Sequence, residues 1–251
     1  MLSWLCENSM RAVAPDISKS PSRIASMFDA IADRYDLLNH LLSAGIDRRW
    51  RRHAIRSLAL TGRERVLDLC TGTADLAIAA LTARPSAARV MGVDFAPAML
   101  RVGSEKIRRR NLNRQLALVR GDATRSPIAT ASVDAVTLAF GIRNVDDVRA
   151  ACDEIGRALK PGGRFAILEF GVPRLPGLRA AYRWYFNRIL PRIGRIVSRH
   201  DAAYAYLPAS VSAFSSPDEF VTILRQQGFV DVSAVPLTFG IVFLYNGRRA
   251  G

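Results

Sequence analysis

The stretch that most constrains this chain is Arg65-Val-Leu-Asp-Leu-Cys-Thr-Gly-Thr-Ala-Asp75, followed some twenty residues later by Val90-Met-Gly-Val-Asp94. The first piece reads as a buried strand that breaks at Gly72 and resumes as a helix. The second reads as another buried strand that ends in a carboxylate. Few folds need both. A glycine at a strand-to-helix turn lets backbone approach a ligand closely, and an acid on the tip of the neighbouring strand can accept from two ribose hydroxyls.

The turn departs from the dinucleotide fingerprint. G-x-G-x-x-G needs three glycines, and only Gly72 stands in this loop. Asp68 and Asp75 crowd the place where phosphates would sit. Two acids beside a small-residue turn suit a cationic nucleoside without phosphate, and S-adenosylmethionine, with its sulfonium and ammonium, is such a ligand. A nicotinamide dehydrogenase is disfavoured by the same missing glycines.

Strand and helix patterns alternate around this motif. Strands are predicted at 65–69, 89–94, 116–120, 133–140 and 164–169, with helices at 74–83, 97–110 and 146–159. Continuous apolar runs such as Val133-Asp-Ala-Val-Thr-Leu-Ala-Phe140 suit a sheet covered on both faces. The alternation implies right-handed crossovers and a doubly wound α/β fold. Two final strands, 229–235 and 238–245, are expected to join tightly around Pro236, which makes the last one antiparallel in a mixed seven-stranded sheet. Ahead of the sheet, residues 21–60 are helical in pattern, with Ser22 or Ser26 as a cap and Ile24, Met27, Phe28 and Ile31 on one face. They form an N-terminal helical lid. Residues 1–20 read as a loose arm before a single domain over 21–251, with Met10 a second candidate start.

Apolar residues make up 49% of the chain, which excludes disorder, and no apolar run approaches the ~20 residues of a membrane span. The N-terminus lacks the basic start and long apolar core of a secretory signal. Cys6, Cys70 and Cys152 are odd in number and scattered, so no disulfide framework follows and a reducing cytoplasm fits. Cys70 and Cys152 read as small core residues. With only His40, His53 and His200 and no pair at ligand spacing, no metal site is expected. The formal charge is +14, almost all of it arginine. Its distribution says more than its total. From Gly171 to His200 there is no acid, while Arg174, Arg179, Arg183, Arg188, Arg192, Arg195 and Arg199 alternate with Tyr182, Trp184, Tyr185 and Phe186. That composition suits a helical insertion, 174–214, that lies on an anionic membrane surface. It would also suit RNA.

The loops after the first four strands are where chemistry belongs in such a sheet. Gly72 and Thr73 open the first helix and offer N–H groups and a hydroxyl to a carboxylate end, although a plain turn with a threonine cap has the same composition. Asp94 suits a ribose, or alternatively caps the helix that begins near Pro97. Asp122 can accept from an adenine amino group while the N–H of Ala123 donates to a ring nitrogen. After the fourth strand, Ala139-Phe-Gly-Ile-Arg-Asn144 lacks the Asn/Asp-Pro-Pro-aromatic turn of base-amino methylation, which argues against an RNA methyltransferase and against nucleic acid as a partner. Cys152 lies mid-helix, which argues against a cysteine nucleophile. Arg143 and Asn144 place a cation and an amide at the mouth of the site.

Several segments resemble the ubiquinone/menaquinone biosynthesis C-methyltransferase family. Tyr35-Asp-Leu-Leu-Asn39 with Leu42-Ser-Ala-Gly-Ile-Asp-Arg-Arg-Trp50 is similar to its first signature, and Arg157-Ala-Leu-Lys-Pro-Gly-Gly-Arg-Phe-Ala-Ile-Leu-Glu-Phe170 to its second. Phe140-Gly-Ile-Arg-Asn144, Leu190-Pro-Arg-Ile-Gly194 and Tyr204-Ala-Tyr-Leu-Pro-Ala-Ser210 also match, so the likeness covers roughly residues 22–247. The Lys-Pro-Gly-Gly turn is general among class I methyltransferases; the first signature and Phe-Gly-x-Arg-Asn are more specific. The chain departs at Ala139, where some members have a cofactor-touching serine, at Asp47 and Tyr245, where histidines are common, and at Gly171, a frequent serine.

The resemblance implies a class I Rossmann-like methyltransferase, with cofactor contacts at Thr73, Asp94, Asp122 and Ala123. It implies methyl transfer from S-adenosylmethionine to a ring carbon of a polyprenyl quinol. The Cys-x-Gly-Thr-Ala-Asp form of the turn is similar to menaquinone-only members, so demethylmenaquinol is the expected acceptor and a benzoquinol of the ubiquinone route the alternative. Arg143 is expected to stabilise the phenolate, Asn144 to orient the ring oxygen, and Asp36 or water to take the proton. Tyr35 and Asn39 are expected to complete the substrate pocket. A polyprenyl tail leaves the bilayer at ~0.8 kcal/mol per CH₂, so a cytoplasmic enzyme bound peripherally to the membrane is expected, through 174–199. An assembly of identical chains is left open.

Overall fold

The structure, a computed structural model, describes residues 19–173, 175–185, 188 and 201–251. Two helices, α1 (Pro21–Leu42) and α2 (Asp47–Ser57), precede β1 (Arg65–Leu69), α3 (Asp75–Thr82), β2 (Arg89–Asp94), α4 (Pro97–Arg109), β3 (Leu116–Arg120) and β4 (Val133–Ala139). A 3₁₀ turn (Ile142–Asn144), α5 (Val148–Ala158), β5 (Leu159–Phe170), α6 (Pro176–Trp184), α7 (Asp201–Ala213) and α8 (Pro217–Gln226) follow. A hairpin of β6 (Phe229–Leu237) and β7 (Val242–Arg249) ends the chain. The expected loose arm lies almost wholly outside the described residues. So does most of the 174–199 segment.

The strands form one seven-stranded sheet in the order β3-β2-β1-β4-β5-β7-β6. The first five are parallel, and β7 runs antiparallel to β5 and β6. Strand side chains alternate between faces, and helices cover both faces. Leu67, Leu69, Val136, Leu138 and Phe165 meet Cys152, Ile155, Phe220 and Leu224 of α5 and α8. On the other face Val66, Ala135 and Leu168 meet Trp50, Ala54, Ile55 and Ala77 of α2 and α3. Helix α1 lies over α4, with Ala32 against Ala96 and Met99 and with Phe28 and Tyr35 beside them. The sheet order turns between β1 and β4, so their tips diverge there and leave a crevice.

Three local expectations fail for physical reasons. Ser20, not Ser22 or Ser26, stands at the cap of α1, because Pro21 at the first helical position already sets the entry. Strand β5 starts at Leu159 rather than 164, because a register shift lets Leu159 pair with Val133 before Arg164 pairs with Ala135. Pro236 lies inside β6, opposite Phe243, and the link is the turn Thr238–Gly240. Its missing N–H is tolerated because β6 is an edge strand.

Beneath the first turn sits Asp68, 1% exposed. Its oxygens accept from the hydroxyls of Thr71 and Thr137, each at 2.6 Å. It pins the turn between β1 and β4 from below. Above it, Cys70, Ala74 and Phe140 all adopt left-handed backbone, with φ of 51°, 66° and 58°. Such residues cost of order 1–3 kcal/mol each and persist where packing dictates them. The β4 tip passes the β1 tip so closely that a Cβ on Gly141 would lie 2.4 Å from the Cβ of Cys70.

Two outcomes follow from these contacts. Gly141→Ala is expected to lower unfolding free energy by ~1–3 kcal/mol, read from urea midpoints. Cys70→Gly added to it should recover part of the loss; equal stability of Gly141→Ala and the parent would show that the strand tips can part. For Asp68, burial pushes the pKa up to about 6, against ~4 in the unfolded chain. Neutral Asp68 therefore contributes stability that is full below about pH 4 and lost as pH rises through 6, up to ~3 kcal/mol. Asp68→Asn should flatten that fall in unfolding curves taken from pH 4 to 7. An unaltered difference between pH 4 and 7 would exclude this assignment.

Candidate active site

Two cavities open in the crevice. The smaller, about 40 Å³, is lined by Cys70, Gly72, Asp94, Phe95, Met99 and Asn144, among others. The larger, about 530 Å³, lies between α1, α2, α6 and α7 and is walled mostly by apolar side chains such as Ile31, Leu38, Trp50 and Tyr206. Phe28, Tyr35 and Phe140 line both. They are the partition between the cleft that holds the Gly72 turn and the Asp94 carboxylate and the larger apolar chamber.

The polar end of the smaller cleft is built around the Gly72 turn and the Asp94 carboxylate. Gly72 has φ +54°, and a Cβ there would enter open space. Its N–H donates to Asp94 Oδ2 at 2.8 Å, and Ala96 N–H donates to Oδ1 at 2.9 Å. Asp94 bonds the N–H of Ala96, the N-cap residue itself, so it braces the loop before α4 without capping the helix, and it lines the cleft. Burial pushes its pKa up, against the backbone donors. Each oxygen uses one acceptor position and keeps another, enough for two ribose hydroxyls. Phe95, Met99 and Val145 add the apolar walls an adenine needs. The free acceptor positions of Asp94, the Gly72 turn and these apolar walls are groups that the nucleoside end of S-adenosylmethionine would meet.

Other expected contacts sit differently. The Thr73 hydroxyl donates to Asp36 instead of facing the cleft. Asp122 Oδ1 accepts from Thr124 N–H and Oγ1, both at 2.8 Å, closing its own turn at the β3 tip. Ala123 is buried in the core. None of the three lines the cleft. Cys70, expected in the core, is half-buried and forms part of the cleft wall. Asp36 is not placed to act as a base: its oxygens are held by Thr73 and by Lys106 Nζ, the latter at 2.7 Å. It lines neither cavity. Lys106 also bonds Asp75, which lies 3.5 Å from Arg51 Nη2, and Arg51 pairs with Asp47. Asp47, at the family's histidine position, lies 2.8 Å from His40 Nδ1. These charges tie the lid helices α1 and α2 to α3 and α4.

Arg143 and Asn144 stand on the 3₁₀ turn after β4 and are buried. Arg143 lines the chamber and Asn144 the cleft. Arg143 Nη1 donates to Glu169 Oε1 at 2.9 Å and to the Phe140 carbonyl at 2.5 Å. Glu169, wholly buried at the end of β5, also accepts from Phe170 N–H at 2.7 Å. The guanidinium carbon lies 5.4 Å from the Phe170 ring centroid, and Phe140 stacks on Phe170 at 4.5 Å. Nη2 has no hydrogen-bond partner among the described residues. Tyr35 and Asn39 line the chamber, and burial pushes the Tyr35 phenol up, so it stays a neutral donor. Sequence reasoning missed Glu169, Tyr206, Ser210 and Lys106. Glu169 carried a signal: an acid within the apolar run Phe165–Phe170 requires a buried cation.

Comparison with known proteins agrees with this geometry. The sequence model of the ubiE/COQ5 methyltransferase family matches residues 17–249. A ubiquinone/menaquinone biosynthesis C-methyltransferase UbiE of Syntrophotalea carbinolica is 47% identical, over 89% of this chain and 93% of that protein. A demethylmenaquinone methyltransferase of Thermus thermophilus is 44% identical, over 89% of this chain and all of its own length. Among solved structures, a SAM-dependent methyltransferase of Thermotoga maritima superposes with a TM-score of 0.61 at 17% identity, over 90% of this chain and 99% of that one. The [4+2]-cyclase SpnF gives 0.66 at 15% identity, over 94% and 98%. At such identities the structures share only the class I fold, and fold alone does not fix chemistry. The sequence likeness is of another order, and by it the chain belongs to the ubiE/COQ5 methyltransferase family.

Proposed function

We propose that this chain methylates a ring carbon of a reduced polyprenyl quinone, with demethylmenaquinol as acceptor and S-adenosylmethionine as donor. The observation that carries this is the shared wall: a nucleoside-type cleft and an apolar chamber meet at Phe28, Tyr35 and Phe140. A ring in the chamber and a donor in the cleft would then lie on either side of this shared wall. Relatives named demethylmenaquinone methyltransferase, from Thermus thermophilus and Deinococcus radiodurans, support the naphthoquinol ring.

The bound donor supplies an electrophilic methyl group on sulfonium sulfur. The chain's own task is to make the ring a carbon nucleophile and aim it. An oxidised quinone is electron-poor, so the site must favour quinol and then phenolate. Arg143 Nη2 is the donor directed at the ring oxygen, where negative charge develops. Asn144 holds the same oxygen from the cleft side. Tyr35 and Asn39 close the lid side of the ring, and Trp50, Phe140 and Phe170 exclude water. With Asp36 engaged by Lys106, the phenolic proton leaves through water at the chamber's mouth.

The mouth also supports membrane docking. The chamber's volume lies within the ~300–1,000 Å³ usual for small-molecule sites, so a long prenyl tail must continue outside. Leu41 lines the chamber yet is 51% exposed, and Phe239, next to the chamber residue Thr238, is 74% exposed. Trp184, beside the chamber residue Tyr185, is exposed too. No helix among the described residues is long and apolar enough to cross a membrane. The apolar rim, set in a chain of net charge +14, suits the surface of an anionic bilayer.

Two measurements test this reading. Incubation with methyl-labelled S-adenosylmethionine and demethylmenaquinol should move label into the lipid extract; no transfer to that quinol or to a benzoquinol would end the proposal. Removing Arg143 alone strands Glu169, at ~3–5 kcal/mol, so the informative variant is Arg143→Gln with Glu169→Gln. Its turnover should fall ~10²–10³-fold with donor affinity retained, and parental turnover would remove Arg143 from the mechanism. For docking, Leu41→Asp with Phe239→Asp should cut co-flotation with anionic vesicles ~10-fold or more. Undiminished flotation would move the docking face elsewhere.

A further inference from the structure

Helix α7 carries two hydroxyls that reach the Arg143–Asn144 turn. Tyr206 OH donates to Asn144 Oδ1 at 3.1 Å. Arg143 Nε donates to Ser210 Oγ at 3.3 Å, and that hydroxyl in turn donates to the Leu207 carbonyl at 3.0 Å. Tyr206 and Ser210 are four residues apart, hence one turn apart on the same helix face. Tyr206 and Leu207 also line the apolar chamber. We propose that α7 is the positioning element of the site, with Tyr206 and Ser210 setting the orientation of Asn144 and Arg143. This rests on the reading of those two residues as the groups that face the quinol oxygen.

Each bond has a defined consequence. A side-chain amide can flip, and only its partners decide which end points where. With Oδ1 held by Tyr206, Nδ2 is turned to donate to the Phe140 carbonyl at 3.3 Å, and its second hydrogen is left for the cleft. Asn144 thereby presents a donor, not an acceptor, to an oxygen that is becoming negative. Burial pushes the Tyr206 phenol up, so it remains a donor at neutral pH. Ser210 acts on the opposite edge of the guanidinium from Glu169. With Nε and Nη1 both anchored, rotation about the side chain stops and Nη2 points in one direction. The positioning element also forms part of the substrate's wall, so a ring and tail that fill the chamber pack against α7 and hold both hydroxyls in register. The chamber's occupant and the aim of the two donors are then linked.

Tyr206→Phe and Ser210→Ala each remove one hydroxyl and little volume. Each is expected to leave S-adenosylmethionine affinity by calorimetry within ~2-fold and to lower kcat on demethylmenaquinol ~10–100-fold, with KM changed less than ~3-fold. Ser210→Thr restores a hydroxyl and should return kcat to near the parental value. Parental kcat in both variants, or a raised KM with kcat intact, overturns the proposal, because that is what mere wall residues would give. Thermal unfolding checks the fold, and Ser210→Ala carries the test alone should Tyr206→Phe unfold. The Asn144 side-chain protons give a readout without substrate: slow exchange in the parent and fast exchange in Tyr206→Phe are expected. Equal exchange in both overturns the Tyr206 role even if the quinol itself proves to be the wrong acceptor.

Discussion

The constraint on which this molecule depends is the close crossing of the β1 and β4 tips. Cys70 and Phe140 end their strands in left-handed backbone, and Gly141 passes Cys70 with no room for a Cβ. Straight strand ends would run past the crevice and fill it. The bends turn the first chain up into α3, leaving Gly72 N–H beside Asp94, and turn the second across the crevice, leaving Phe140 as a partition and Arg143 behind it. Backbone strain held by surrounding packing is how such sites are commonly kept open. Asp68 supplies part of that packing, with its two threonine hydroxyls bridging the strands from below.

The two lid helices are held differently: α2 packs Trp50, Ala54 and Ile55 into the main core, whereas α1 is tied to the rest largely by charge. Its contact with α4 rests on Ala32, Ala96 and Met99, a small patch, while Asp36, Lys106, Asp75, Arg51 and Asp47 form a chain of ion pairs from α1 through α3 and α4 to α2. Partly buried pairs contribute little net stability, because desolvation offsets attraction. They do specify one geometry over its neighbours.

The sheet was legible in the sequence because its strands are apolar on both faces and because punctuation by glycine and proline is strong. The turn at Gly72 and the carboxylate of Asp94 beside it were legible for the same reason, since both follow from strand ends alone. What escaped was everything that depends on contacts between distant segments. Thr73 has the right place for a ligand hydroxyl, but a lid aspartate 37 residues earlier takes it. Cys70 looks like core until the left-handed bend at β1 brings it to the cleft wall. Glu169 could have been paired with Arg143 by charge, since a buried acid needs a cation. Tyr206 and Ser210 lie in a stretch that matched the family without a role attached, and only packing of α7 against the turn gives them one.

The pairing of Arg143 with Glu169 also changes what the site does electrostatically. Taken alone, a buried arginine would place a full positive charge beside the ring and hold it there in every state. Paired, the two residues are nearly neutral as a unit, and what remains is a polarised N–H at Nη2. On the function proposed above, a neutral quinol would enter such a chamber without displacing a counter-ion. In the function proposed above, the guanidinium would meet an unbalanced negative charge only when the ring oxygen loses its proton, so its attraction would be concentrated in the state that leads to reaction. That is differential stabilisation, and it requires the donor to be aimed before the charge appears, because a freely turning guanidinium would spend the gain on reorientation. Glu169 neutralises the arginine, and Ser210 and Glu169 together fix its direction.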